Sequence, residues 1–321
     1  MFKPFARCAA ATLAFTLGVV LWGAYVRASG AGAGCGNHWP LCNGGVLPRS
    51  RAAATIIEFT HRAMSGIDGM LILGLLFWSW RIFPRRHPVR LGAALSLCFL
   101  ISEALIGAAL VKLEHVARNA SVGRGWSLSG HLLNTLALLA CLTLTAWWAR
   151  GGRRLRLRSR TAWIAVPGIA LVLMTAISGA IAALGDTLFP ATSFAAGFQQ
   201  DFDPAASVFL RLRLFHPPLA IMTGASIAFY VIYLTARMPG ARPYARAVAM
   251  LLGLQLGAGV LNLVLLAPIW MQIAHLLIAD LLWIALVLLI AFSLQDSAGA
   301  ADSSVDEMAA AADRRERAGA R

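Results

Sequence analysis

Charge is scarce in this sequence. Lys, Arg, Asp and Glu supply only 13% of the 321 residues, against 59% hydrophobic ones, whereas soluble domains are about 45–50% apolar by a similar count. That excludes a soluble enzyme or binding module as the main fold. Chemical motifs are sparse too. There is no glycine-rich phosphate loop, no catalytic serine triad and no Cys-x-x-Cys, so phosphate-loop, serine-hydrolase and dithiol redox classes have nothing to stand on. Acids are outnumbered, 14 Asp and Glu against 28 Lys and Arg, for a formal net charge of +14. In a soluble protein that excess would point to nucleic acid. Here the arginines sit at the ends of apolar runs, so membrane topology explains them and no nucleic-acid partner is expected.

The apolar runs are what the chain has in abundance. A bilayer span needs about 20 mostly apolar residues, and eight stretches qualify: 9–26, 53–80, 91–111, 127–149, 161–184, 206–235, 244–266 and 269–294. Glu103 lies inside the third, and Pro217-Pro218 near the start of the sixth. Neighbouring groups in a membrane bundle re-satisfy a backbone freed by proline, so neither interruption ends the reading. The start of the chain, with Lys3 and Arg7 before apolar residues, imitates a signal peptide. No A-x-A-like cleavage site followed by a soluble domain appears, so it is kept as the first span. The expected fold is an all-α integral membrane protein of eight transmembrane helices.

Lys3 and Arg7, the arginines at 81, 85, 86 and 90, the run from Arg150 to Arg160, and Arg237, Arg242 and Arg246 all fall on one side, with the tail arginines 314, 315, 317 and 321. The positive-inside rule makes that side cytoplasmic and places both termini there. The chain also reads as two related halves, 1–150 and 151–295, with a polar and disordered tail over 296–321. Glu58-Phe-Thr-His61-Arg62-Ala-Met-Ser-Gly66 has a counterpart in Leu214-Phe-His216-Pro-Pro-Leu-Ala-Ile-Met-Thr-Gly224, and Gly107-Ala-Ala-Leu-Val111 in Gly257-Ala-Gly-Val-Leu-Asn262. The expectation is a parallel repeat of two pseudo-symmetric four-helix bundles.

Four histidines then stand out. His61, His131, His216 and His275 each lie early in an even-numbered span, so all four imidazoles sit at similar depth near the external surface. A lone intramembrane histidine is usually a hydrogen-bonded packing group. Four in register, one per even helix, mark a functional site. Two imidazoles from facing helices can hold a haem iron axially, which gives one pair per half: His61 with His131, and His216 with His275. Zinc or copper fits less well, because no third nitrogen or clustered carboxylate accompanies either pair. Glu58 shares a helix face with His61. It reads equally as a proton-handling group beside a haem and as a helix N-terminal carboxylate paired with Arg62. Its counterpart in the second half is Arg213, so the two sites are unequal. Arg27, Arg62, Arg211 and Arg213 lie near outer ends, within reach of haem propionates or of lipid headgroups. Asp68, Glu103 and Asp280 are intramembrane acids for proton movement or interhelical bonds. Asn134 and Asn262 suit interhelical bonds, and His38, His87 and His115 are expected to be solvated. Cys8, Cys98 and Cys141 are apolar packers. Cys35 and Cys42 share an external loop, where a disulfide is permitted and redox-active free thiols compete as a reading.

These residues resemble a known family. Gly23-Ala-Tyr-Val-Arg27-Ala-Ser-Gly-Ala-Gly32 followed by Cys35-Gly-Asn-His-Trp-Pro-Leu-Cys42-Asn-Gly44 is similar to the first external loop of haem A synthases. The Glu58-x-x-His61-Arg62 box with His131, His216 and His275 is similar to that family's helix-borne glutamate and four histidines. The likeness extends over about 10–294. It implies a multi-pass protein of the bacterial inner membrane that oxidises the C8 methyl of haem O to the formyl of haem A, for cytochrome oxidase, by successive hydroxylations. It further implies that His61 and His131 flank the substrate haem with Glu58 assisting, that His216 and His275 ligate a haem b, and that Cys35 and Cys42 form a disulfide. Arg27 and Arg62 are the implied propionate contacts. Haem O synthase, cytochrome oxidase subunit I or its assembly factors, and an electron acceptor are the implied partners besides lipid. Two departures stand: the loop 186–204 lacks the second cysteine pair of some members, and Pro217 replaces the arginine after the histidine. A bis-histidine b-type cytochrome that only relays electrons is the competing reading, and a transporter a remoter one.

Overall fold

The computed structural model describes residues 2–157 and 159–295; Arg158 and the tail at 296–321, with its four arginines, lie outside the described residues. The chain is built of helices. In order they are α1 (Lys3–Ala28), α2 (Ala53–Ile82), α3 (Pro88–Lys112), α4 (Val122–Ala149), α5 (Arg160–Leu188), α6 (Phe194–Phe202), α7 (Val208–Arg213), α8 (His216–Arg237), α9 (Arg242–Val264) and α10 (Ile269–Leu294). Among the described residues there is no strand, only the isolated bridges Cys42–Gly45 and Leu155–Gln295. Among the described residues eight helices are long and apolar enough to cross a membrane, α7 and α8 together supplying the sixth. An eight-span all-helical fold is therefore present as expected.

Local chemistry sets the helix starts. The hydroxyls of Ser121, Ser159 and Ser193 accept the orphan N–H groups opening α4, α5 and α6. His87 does the same for α3 through Nδ1, which accepts from the Val89 N–H at 3.3 Å and so must be unprotonated. Partial burial and the neighbouring Arg154 hold its imidazole below the ordinary value. Proline opens the first turn of α1, α3, α8 and α9, where its missing N–H is harmless. That explains why the sixth span is broken: Pro217 and Pro218 cannot donate back to α7, so the helix restarts at His216. Two expectations need correction. His87 stacks on Phe83, and His115 bonds Ser127 at 2.9 Å, so neither is simply solvated. The external loop at 186–204 contains a short helix, α6.

Neighbour relations repeat between the halves. In the first, α1 packs on α2 and α4, and α3 on α2 and α4. In the second, α5 packs on α8 and α10, and α9 on α8 and α10. The ends of α3 and α9 match bond for bond. Leu113 donates to Ala109 O, Glu114 to Val111 O and His115 to Leu110 O, while Leu265 donates to Leu261 O, Leu266 to Leu263 O and Ala267 to Asn262 O. Glu114 and Leu266 both take positive φ, 55° and 60°. This register pairs Gly107 with Gly259, two residues from the pairing with Gly257 expected from the sequence. Hydropathy repeats too coarsely to fix it.

The α4 helix serves two cores. Leu138 and Leu142 pack with Phe5, Ile72, Leu75 and Val89, whereas Leu136 and Leu139 pack with Ile227, Leu234, Val248, Trp283 and Leu286. The Trp283 indole donates to Leu136 O at 2.8 Å, fixing α10 against α4. Most remaining large apolar side chains face outward, as lipid-covered helices require.

Candidate functional site

Each half contributes at least one residue from each of four helices to a cluster around its histidine pair. In the first, His61 comes from α2 and His131 from α4, and the two are within electrostatic range of each other. His216 from α8 and His275 from α10 are coupled in the same way. The structure thus brings together the pairs expected within halves.

The rings are held by close packing. Gly23 of α1 lies against His61, where a Cβ would fall 2.8 Å from Cε1. Gly179 of α5 lies against His216, where a Cβ would fall 2.9 Å from Cε1. The same glycine contact therefore occurs in both halves. Polar partners complete each cluster. Glu103 Oε1 of α3 lies 3.2 Å from His131 Nδ1, close enough to pair but not aligned as a hydrogen bond. Ser178 Oγ of α5 bonds His216 Nδ1 at 3.0 Å, and Gln255 of α9 bonds His275 Nε2 at 3.2 Å. Nδ1 of His61 and of His275 is likewise buried without a hydrogen bond.

This donor set fits axial haem ligation. Nε2 of His61, His131 and His216 has no hydrogen-bond partner among the described residues, while Nδ1 of His131 and His216 faces a neighbour that can orient the ring, the division of labour that metal-bound histidines show; His275 is the exception, with Nε2 held by Gln255. Among the described residues no group of three or more His, Cys, Asp or Glu converges as a metal cluster would.

Of the two readings open for Glu58, the structure shows the carboxylate paired with Arg62. Glu58 is 3% exposed. Its Oε2 accepts from the Cys35 N–H at 2.8 Å, and its Oε1 from Arg62 Nη2 at 2.5 Å. Arg62 Nη1 also donates to His38 O and Leu41 O, each at 2.6 Å. Cys35 and Cys42 are joined in a disulfide. The Glu58–Arg62 pair thus fastens the disulfide loop to α2 one turn before His61. Arg27 reaches the other half, donating to Ala183 O and Thr187 Oγ1 of α5 and to Gln272 Oε1 of α10 at 2.9, 3.0 and 2.9 Å. Arg213 holds α6 and the end of α5 through Asp201, Asp186 and Gly197 O, and Arg211 is exposed.

Of the other expected polar residues, Asp68, Glu103 and Asn134 form interhelical bonds, whereas the bonds expected of Asn262 and Asp280 are not among those found. Thr16 donates to Asp68 at 2.8 Å between α1 and α2, and Asn134 bonds Glu103 and Phe99 O. Asp280 and Asn262 each keep a buried oxygen unpartnered. Reasoning from the sequence missed Gly23, Gly179, Ser178 and Gln255. One signal was available: Glu103 and Gln255 each precede a glycine, Gly107 and Gly259, by four residues.

With this geometry in place, the comparison with known families is specific. The family model described as cytochrome oxidase assembly protein, COX15-CtaA, matches residues 6–287 and so takes in all four histidines and the disulfide loop. The chain belongs to this family. Haem A synthases of Bacillus licheniformis and Geobacillus kaustophilus are 43% and 42% identical to it over 93 and 103 residues, about a third of each chain. A Thermus thermophilus protein named protohaem IX farnesyltransferase is 45% identical over 284 residues, covering 87% of this chain and 47% of that relative. The chain therefore spans about half the length of that relative.

Proposed function

We propose that this membrane protein is a haem A synthase, which oxidises the C8 methyl group of haem O to a formyl group by successive hydroxylations. The observation that carries the reading is a pair of structurally repeated histidine sites that differ in one respect. The first is bordered by two carboxylates, Glu58 and Glu103, and the second by the neutral Ser178 and Gln255. A site that must handle protons during methyl oxidation needs such groups; a site that only passes electrons does not.

In this reading His61 and His131 take haem O by its iron, and apolar surface between the helices accepts the macrocycle. Glu58, held by Arg62 and the Cys35 N–H, keeps a carboxylate at the edge of the site for proton transfer. Arg27 and Arg62 take up propionates only by exchanging their present carbonyl partners for a carboxylate. His216 and His275 hold a haem b, which supplies one-electron redox chemistry when bound. The halves 1–150 and 151–295 act as the substrate and electron-transfer bundles. The excess of basic residues in the opposite loops places both termini in the cytoplasm and the histidine sites toward the external face of the bacterial inner membrane. Haem O synthase, cytochrome oxidase subunit I with its assembly factors, and an electron acceptor are the partners this reaction calls for.

The deciding experiment is expression with a haem O supply followed by pyridine-haemochrome analysis. Haem A should appear with the wild-type chain and not with His61→Ala. Two retained protohaems and no haem A would instead make the protein an electron relay.

A further inference from the structure

The repeat register sets Glu103 of α3 opposite Gln255 of α9, each four residues before the paired glycines Gly107 and Gly259. Each side chain touches the histidine of the helix that follows: Glu103 comes within 3.2 Å of His131 Nδ1, and Gln255 reaches His275 Nε2 at 3.2 Å. The scaffold is the same, but one half presents a carboxylate and the other an amide.

Only the carboxylate has a cradle. Glu103 Oε2 accepts from Asn134 Nδ2 at 2.5 Å, and Oε1 accepts from Thr135 Oγ1. Asn134 is braced in turn by Ser102 and by Phe99 O, at 2.5 and 2.8 Å. Asn134 and Thr135 lie three and four residues after His131. The corresponding positions after His275 are Ile278 and Ala279, which offer no such donors. A carboxylate placed merely to tie α3 to α4 would not need to stand at the imidazole as well.

We propose that Glu103 is the positioning residue of the first site, accepting the His131 Nδ1–H, once a small turn of the ring aligns it, so that Nε2 faces the iron with an electron-rich imidazole. The inference rests on the haem-binding reading above. A carboxylate behind a ligating histidine fixes its tautomer and raises its basicity, which favours ferric over ferrous iron, whereas an amide gives orientation without the charge. The second site has no carboxylate behind its histidine, since Gln255 is an amide and touches Nε2 of His275 rather than Nδ1, so the two haem sites are set to different potentials.

The test uses full-length protein in detergent, ferric protohaem as the titrant, and spectroelectrochemical midpoints of each low-spin haem. Glu103→Ala should weaken binding at the first site by about 10–100-fold, as loss of such an outer partner does. Glu103→Gln should keep binding but raise the first midpoint; a tenfold loss of ferric preference corresponds to about 59 mV for one electron. An intact second-site spectrum in the Glu103 variants shows that they fold. An unmoved first midpoint in Glu103→Gln, or wild-type affinity in Glu103→Ala, overturns the proposal while haem binding by the wild type stands. If His61→Ala and His131→Ala release no haem, the functional reading itself fails and takes this one with it.

Discussion

The glycine contacts at the two histidines allow a test in which each half is the other's control. Replacing Gly23 by alanine would put a Cβ 2.8 Å from His61 Cε1 and 3.2 Å from Nε2, and alanine at Gly179 would put one 2.9 Å from His216 Cε1. Ordinary contact begins near 3.4 Å, so each ring must retreat by roughly half an ångström. In the haem-free protein an imidazole can turn aside at little cost. As an iron ligand its position and direction are fixed, so the penalty falls on the loaded state. Overpacking of this kind costs about 1–3 kcal/mol, which at about 1.4 kcal/mol per tenfold is about 5–150-fold in affinity. Gly179→Ala should therefore reduce the retained low-spin b-type haem, read by pyridine haemochrome and optical spectrum. Gly23→Ala should spare it and reduce binding and conversion of haem O. Melting of the haem-free protein should hardly move in either. The reasoning is refuted if either variant keeps wild-type affinity at its own site, or if both weaken the same site.

Three further outcomes are expected. Alkylation without reductant should leave Cys35 and Cys42 unlabelled, and Cys42→Ser should lower stability by about 2.5 kcal/mol from release of so short a loop; free labelling would remove the disulfide. Arg27→Ala should lose the charge-assisted bonds to α5 and α10, worth about 1.5–3 kcal/mol, and lysine should rescue little because it lacks the planar fork. An unchanged melting temperature in detergent would show that this link is idle. Glu58→Gln retains an acceptor for the Cys35 N–H but not the charge, so haem A formation should fall steeply while haem content and the disulfide persist. Wild-type turnover would reduce Glu58 to a fastening for the loop.

Much of the architecture was legible because the bilayer imposes a one-dimensional rule. A span must be about 20 residues of apolar chain, and the eight stretches match the eight helices to within a turn or two at most ends. The histidines were legible for the same reason, since their depth follows from where each span begins. What escaped was lateral. Nothing in α3 alone says that Glu103 points at His131, because that depends on the rotation of two packed helices. Arg27 looked like a boundary arginine, and only the packing of α1 on α10 reveals its partners in the other half. The α6 helix was missed although its cap, Ser193, and its phenylalanines at 194, 198 and 202 mark a short amphipathic turn pattern. Its length is too small for a hydropathy window.

The packing of α4 against α10 has a consequence for how the molecule tolerates damage. His131 and His275 ride on these two helices, which are locked by Trp283 and flanked by the Arg27 link. The connector from α4 to α5 is itself held to the end of α10, by the Arg156 N–H on Leu294 O and the Leu155–Gln295 bridge. A protease cut in that connector should leave two fragments that co-purify and keep both histidine sites. A bulky residue at Leu136 or Leu139, with the chain intact, should disturb both sites at once.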